Sequence, residues 1–339
     1  MVRKKSEHSN TVSINDVARK AGVSITTVSR VINKHPSVKE RNRIKVMEVI
    51  RQLKFEPSAL AQRLATDKSN VVALLIPRYE GIFYSFYALE LIRGIGTLCE
   101  ALKLDLLLHL TETHVSLNLK GVGGIVFADI IGNKQQLEEA LAQGTPSIVI
   151  NNYVEDLEVS SISVDNAGGA ESAVDYLYSL GHRKIAHITG DMVTQASVQR
   201  LEGYKLALKK NKLDFNEEYV FGTDYSRGQA RQAAEKLIQM SDPVSAVFVA
   251  SDSMALEVMA VARELGRDIP RDLSIVGFDD NPSGLYGPVA LTTVRQPLVK
   301  MAQESIKELN LLMHADKKLA PKRIILPTEM VIRESCRSL

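Results

Sequence analysis

Six apolar runs in the latter part of this 339-residue chain end in side chains able to bind or react. Residues 71–76 run into Arg78, Tyr79, Glu80 and Phe83, residues 147–150 into Asn151 and Asn152, and residues 162–164 into Asp165 and Asn166. Farther on, 185–188 lead to Gly190 and Asp191, 246–250 to Ser251 and Asp252, and 273–278 to Asp279 and Asp280. Carboxylates, amides, hydroxyls and aromatics in one set suit a polyhydroxylated ring, whose hydroxyls donate to carboxylates while its apolar face stacks on an aromatic. A second chemistry draws on the same groups, with Asp279 and Asp280, and His182 or His187, as the acid and base of an enzyme. Against it, the sequence has no Gly-rich phosphate loop and no nucleophile elbow, and His182 precedes a strand, at the end opposite the ligand side. Taken singly, Asp165, Ser251 and Asp279 are equally well explained as helix caps or loop anchors, since strand gives way there to helix or loop. Only their joint convergence supports a ligand. Cys99 and Cys336 are the only cysteines, too few and too distant in sequence for a disulfide scaffold or a thiolate metal site.

The elements that must position these groups alternate. Between the apolar runs, which also include 106–110 and 124–127, lie helical patterns at 88–102, 135–142, 170–180, 199–209, 229–240 and 254–265. Buried strands alternating with helices predict parallel sheets with crossover helices, and their number predicts two sheets. Ligands of such open sheets bind beyond the carboxyl ends of the strands, where the polar residues above lie.

Before Val71 the pattern differs. Residues 13–33, SINDVARKAGVSITTVSRVIN, hold two short helical patterns that meet at Gly22. Ser13 and Asp16 make a capping-box start, and Ile14, Val17, Ala18 and Ala21 share one face. Ser24 caps a second helix that buries Val28, Val31 and Ile32 and turns Ile25, Thr26, Ser29 and Arg30 outward. So short-chained a face fits deep in a DNA major groove about 12 Å wide, with Arg30 able to reach a guanine edge or a phosphate. A plain helical hairpin packed on a neighbour fits the same spacing. Val38, Ile44, Met47, Ile50 and Leu53 predict a third helix, ended by Pro57. Residues 58–66, barely two turns rich in Ala and Leu, are either an ordinary linker or a segment that a partner orders.

Charge divides the chain at the same place. Residues 1–69 carry 15 Lys and Arg against 6 Asp and Glu, a net +9, whereas the whole chain has 42 against 40, or +2, leaving the remainder at −7. A basic head on an acidic body is the asymmetry of a protein that meets a polyanion with one part only. The N-terminus is polar and charged and no apolar run approaches the length of a membrane span, so the expectation is a cytoplasmic protein with no membrane partner.

With these parts in order, the chain resembles the lactose repressor/galactose repressor (LacI/GalR) family of bacterial transcription regulators. The matching motifs run from I-x-D-V-A-x-x-A-G-V-S-x-x-T-V-S-R-V-I-N at 14–33 through PSALA at 57–61, VDN at 164–166, LGHRKIA at 180–186 and RLEGY at 200–204 to IVGFDD at 275–280, LTTVRQP at 291–297 and RES at 333–335. The resemblance implies an α/β protein with a three-helix helix-turn-helix headpiece (1–56) and a hinge helix with linker (57–70). Two doubly wound parallel-sheet subdomains follow, 71–165 plus 296–326 and 166–295 plus 327–339, similar to periplasmic sugar-binding proteins. The crossings between them would fall near Asp165, Arg295 and Leu326.

It also implies a homodimer whose paired headpieces read a pseudo-palindromic double-stranded DNA operator. Ile25, Thr26 and Arg30 would face base edges, while Ile14, Ser24, Thr27 and Asn33 hold the DNA backbone and Leu64 wedges into the minor groove. For the small-molecule effector, Arg200 matches the family's ligand-binding arginine, Asp165 and Asp279 its ring-hydroxyl acceptors, Phe83 a wall and Tyr225 the stacking aromatic. No cofactor is implied. The sequence departs from the family in three places. Ser251 stands where Asn is usual, with a shorter reach. Arg78-Tyr79-Glu80 replaces small polar residues, which adds Tyr79 to the pocket mouth. Only residues 111–123 join the second and third strands where the family has a full helix near the dimer interface, barely enough for a parallel crossover. The implied function is a DNA-binding repressor switched by a sugar or sugar-like metabolite; a body that binds a protein co-regulator, and a carbohydrate-acting enzyme, are the alternatives.

Overall fold

The computed structural model describes residues 12–32, 35–55, 69–78, 82–112, 117–118 and 120–339. Asn33, Leu64 and Tyr79, and most of the anticipated hinge at 57–70, lie outside the described residues. The chain divides into two compact units, one ending at Asn70 and the other starting at Val71.

The first unit is built from α1 (Ile14–Ala21), α2 (Ile25–Ile32) and α3 (Glu40–Leu53). A reciprocal capping box starts α1: the Ser13 backbone N–H donates to Asp16 Oδ2 at 3.0 Å and the Asp16 N–H to Ser13 Oγ at 3.4 Å. Gly22 ends it at φ +63°, a left-handed conformation that a side chain would strain. Ser24 Oγ accepts from the Thr27 N–H at 3.2 Å and so opens α2. Val17, Ala18, Ala21, Val28, Val31, Val46 and Val49 form the core, with Ile14 and Ile32 half-buried at its edge. The face of α3 differs from the one read in the sequence. Ile44 and Met47 are 53% and 39% exposed, and Val46 and Val49 are buried in their stead. The segment IKVMEVI carries two overlapping apolar stripes, and packing on α1 and α2 selects the one holding Val46 and Val49.

In the second unit, strands β1 (Val71–Pro77), β2 (Asp105–Thr111), β3 (Gly124–Ala128), β4 (Ser147–Ile150), β5 (Ser160–Val164), β6 (Ile185–Ile188), β7 (Val220–Phe221), β8 (Ala246–Val249), β9 (Ser274–Asp279), β10 (Thr292–Arg295), β11 (Arg323–Leu326) and β12 (Glu329–Val331) make two sheets. Between them run helices α4 (Phe86–Ala101), α5 (Lys134–Ala142), α6 (Asn166–Ser179), α7 (Gln195–Lys210), α8 (Arg227–Ile238), α9 (Asp252–Glu264) and α10 (Leu298–His314). The strand orders are β11-β5-β4-β3-β1-β2 and β12-β10-β9-β8-β6-β7. All pairings are parallel except that of β12 with β10. Parallel strands covered on both faces are apolar almost throughout: β1, β3 and β8 carry no polar side chain, and β4 and β6 carry one each, Ser147 and His187. The sequence reading overlooked β7, β10, β11 and β12, which are two to four residues long and mostly mixed in polarity.

The chain passes between the sheets three times, after Val164, after Arg295 and after Leu326. On its return α10 packs Leu298, Met301, Ala302, Ile306 and Leu309 into the core of the first sheet. The fit against α4 is close: a Cβ on Gly94 would lie 2.7 Å from Ala302 Cβ. From β2 to β3 the chain crosses over β1 with residues 112–123, which form no helix among the described residues. Leu107 and Leu108 of the edge strand β2 are correspondingly 46% and 37% exposed.

Candidate functional site

On the first unit, α2 presents Ser24, Ile25, Thr26 and Arg30 to solvent, with Thr27 half-buried beside them. Ile25 is 49% exposed, an apolar side chain spent on the surface of a helix whose other aliphatic residues pack inward. Ser24 Oγ and Thr27 Oγ1 lie 2.9 Å apart at the helix start, where free backbone N–H groups favour an anion. Ile14 sits half-buried at the N-terminus of α1.

On the second unit, polar groups converge at the carboxyl ends of both sheets. Asp129 follows β3 and Asn151 follows β4, and Asn151 Nδ2 donates to Asp129 Oδ1 at 2.9 Å. Burial pushes the Asp129 carboxyl up to about 6 against the pull of Tyr87, Asn151 and Arg200. From α7, the buried Arg200 donates Nε to Asn166 Oδ1 at 3.0 Å and Nη1 to the Ala250 carbonyl at 2.5 Å, and its guanidinium lies 3.8 Å over the Phe278 ring. Its charge reaches Asp279 as well as Asp129. Asp279, at the end of β9, accepts from Gln296 Nε2 at 2.6 Å, and burial raises its pKa above the usual carboxylate range. Asn151 Oδ1 and Gln296 Oε1 are buried without a protein partner. Among the described residues eight non-glycine residues have positive φ, and five of them, Asp129, Asn151, Tyr225, Asp279 and Asp280, belong to this region. Strain of that kind concentrates where geometry serves function.

The other candidates take distinct places. Tyr225 Oη lies 2.7 Å from Ser197 Oγ, and its ring rests on Gly190, where a Cβ would come within 1.9 Å of Tyr225 Cζ. Asp165 caps α6, its Oδ1 accepting from the Gly168 N–H at 2.8 Å, and Ser251 caps α9. Phe83 stands 61% exposed in a single helical turn, Ile82–Tyr84. Arg78 pairs with Glu112, so the charge added there is offset by its neighbour. Sequence reasoning missed Asp129 and Gln296 as site residues. Asp129 was accessible to the same rule that found the rest, since it directly follows an apolar run.

The acid–base pair dissolves. Asp280 is held in ion pairs by Arg295 at 2.7 Å and by Arg333. His187 is fully buried between Tyr204 and Phe248, its Nδ1 2.9 Å from the Phe248 carbonyl, and burial pushes it down to about 4. His182 contacts Ser245 Oγ and the Arg337 carbonyl. Among the described residues no cluster of three His, Cys, Asp or Glu could hold a metal, and no helix is long and apolar enough to cross a membrane.

Comparison with known proteins adds lineage to this geometry. Residues 13–58 match the bacterial regulatory proteins of the lacI family, and residues 174–336 match a periplasmic binding protein-like domain. The catabolite control protein A of Priestia megaterium is 32% identical over 336 residues, covering 96% of this chain and 99% of that protein. Among solved structures, a complex of the transcriptional regulator CelR with cellobiose is 28% identical, with a TM-score of 0.74 over 96% of this chain and 99% of its own. A lac repressor dimer bound to operator and the anti-inducer ONPF shares the fold at 23% identity, with a TM-score of 0.81 over 97% of this chain and 100% of its own.

Proposed function

Because this chain belongs to the lacI family of bacterial regulatory proteins and is a DNA-binding transcriptional regulator, we propose that it is a cytoplasmic repressor whose hold on a pseudo-palindromic operator is set by a sugar or sugar-like molecule bound between its two sheets. The observation that supports an effector site is the meeting of Arg200, Asp129, Asp279 and Gln296 at the strand ends. Beside these charged groups the buried acceptors Asn151 Oδ1 and Gln296 Oε1 have no protein partner, and a ligand's hydroxyls would pair them. Cellobiose in the CelR complex is a precedent for a sugar in this fold.

The protein acts as a homodimer in this reading, as the lac repressor does in its operator complex. Ile25, Thr26 and Arg30 meet base edges; Ile14, Ser24, Thr27 and Asn33 meet the DNA backbone; Leu64 enters the minor groove at the operator centre. Tyr79, Phe83, Asp165, Tyr225 and Ser251 complete the effector site around Arg200 and Asp279. The body divides into 71–165 plus 296–326 and 166–295 plus 327–339, and the effector acts by preferring one angle between these parts. A swing from mostly bound to mostly free DNA needs about a 10⁴-fold preference between the two states.

Fluorescence anisotropy of a labelled operator, titrated with and without effector, tests the whole. Release on adding effector marks an inducer and tightening marks a co-repressor; no change refutes effector control. Raising salt from 50 to 200 mM should weaken binding roughly 10³- to 10⁵-fold if 6–10 phosphates are neutralised. Leu64→Ala should weaken specific binding far more than non-specific binding, and equal losses exclude the wedge.

A further inference from the structure

The polar groups of the cleft are unequal in kind. Asp129 and Asp279 are acceptors when ionised, and each is tied to one amide, Asn151 and Gln296. A carboxylate facing the amide nitrogen fixes which way each amide points, so both amide oxygens face away from their carboxylates. Those oxygens, Asn151 Oδ1 and Gln296 Oε1, are buried without a partner, on residues only 9% and 7% exposed. Two amide oxygens thus wait on donors, beside two carboxylates that accept from Asn151 and the Tyr87 hydroxyl on one side and from Gln296 and the Asp252 backbone on the other. On the donor side, Arg200 has already committed Nε and Nη1 to Asn166 and Ala250 and its face to Phe278. One guanidinium stands against two carboxylates within reach of its charge, with the buried Asp252 close enough to Asp279 for the two to repel.

We propose that the effector is a hydroxylated ring bearing an amine, its ammonium paired with Asp129 or Asp279 and its hydroxyls donating to Asn151 Oδ1 and Gln296 Oε1. This deepens, and rests on, the small-molecule reading given above. An ammonium restores charge balance and brings three donors to a site rich in acceptors, whereas a uronate or sugar phosphate would bury further negative charge beside two carboxylates. A neutral sugar satisfies the amide oxygens but leaves one carboxylate unbalanced.

Calorimetry on the full-length protein decides the matter with gluco, galacto and manno rings, each as the 2-amino, 2-acetamido, parent, uronate and 6-phosphate form. In at least one ring series the amine should bind tenfold or more tighter than its acetamido and parent forms, and the anionic forms weakest. Either Asp129→Asn or Asp279→Asn, whichever removes the partner of the ammonium, should reduce that preference to within about threefold, and retention of the preference in both overturns the pairing. A parent, acetamido, uronate or phosphate form that binds tightest overturns the amine assignment and leaves small-molecule control standing. Binding by none of the fifteen compounds overturns both. Should either variant fail to fold, the ranking on the unaltered protein is sufficient by itself.

Discussion

Gln296 donates from Nε2 to Asp279 Oδ1 across 2.6 Å, and it does so from the segment that carries the chain out of the second sheet toward α10 on the first. One amide therefore touches a candidate ligand carboxylate and a crossing at once. Replacing Gln296 by Leu removes a charge-assisted hydrogen bond, worth about 1.5–3 kcal/mol, together with a ligand acceptor. Effector affinity should fall roughly 10- to 150-fold. Operator affinity without effector should stay within threefold. Calorimetry and anisotropy on the same preparation separate the two, and unchanged effector affinity would reduce Gln296 to a brace.

Asp252 makes stability depend on pH. Its carboxylate accepts from Thr293 Oγ1 at 2.6 Å and from the Asn281 N–H at 2.7 Å, yet burial and the charge of Asp279 push it up to about 8. A carboxyl with a raised folded pKa holds a proton that the unfolded chain has lost, so its contribution is full at low pH and vanishes as pH rises through the folded value. His187, pushed down from 6.5 to about 4, contributes in the opposite sense between those values, and Asp129, raised to about 6, has finished titrating above them. Between pH 6.5 and 8 Asp252 dominates. The melting temperature of the ligand-free protein should fall across that interval, and Asp252→Asn should flatten the slope; a rise would contradict the sign.

Gly190 supports Tyr225. Since a Cβ there would lie 1.9 Å from Tyr225 Cζ, Gly190→Ala must move the ring and break its 2.7 Å contact with Ser197. The cost should be about 1–3 kcal/mol, read by urea denaturation, with effector binding weakened in parallel. Tyr225→Phe, which keeps the ring, should lose only about 1 kcal/mol.

Arg30 distinguishes reading from mere attraction. It is exposed on α2 and outside the headpiece core, so Arg30→Ala should leave the melting temperature unchanged. Contact with a guanine edge predicts a loss of about 1–3 kcal/mol confined to one operator position. Equal loss on every sequence, with a salt slope shallower by about one, would identify a phosphate contact instead.

The headpiece was legible because local chemistry alone sets it: the Ser13–Asp16 box, Gly22 and the Ser24 cap need no tertiary partner. The face of α3 was not, since Ile44 and Met47 compete with Val46 and Val49 and only packing on α1 and α2 breaks the tie. The same contrast holds in the body. Long apolar strands announced themselves, while β10 to β12 depend on pairing with neighbours remote in sequence. Arg200 and Asp279 were reached by resemblance and position. Gln296 was not, because an amide after a short polar strand has no signal until Asp279 is seen 2.6 Å away.

Asp165, Gln296 and Thr328 each occupy one of the three segments that pass between the sheets, and Thr328 Oγ1 donates to the Asp165 carbonyl at 3.3 Å. An effector bound as proposed would touch these crossings themselves and so bias the angle between the sheets directly. Taste and threshold are then written in the same residues. On the proposed effector reading, exchanging Gln296 to admit a different compound would also reset the concentration at which the protein responds, and substitutions elsewhere in the body would have to offset that change.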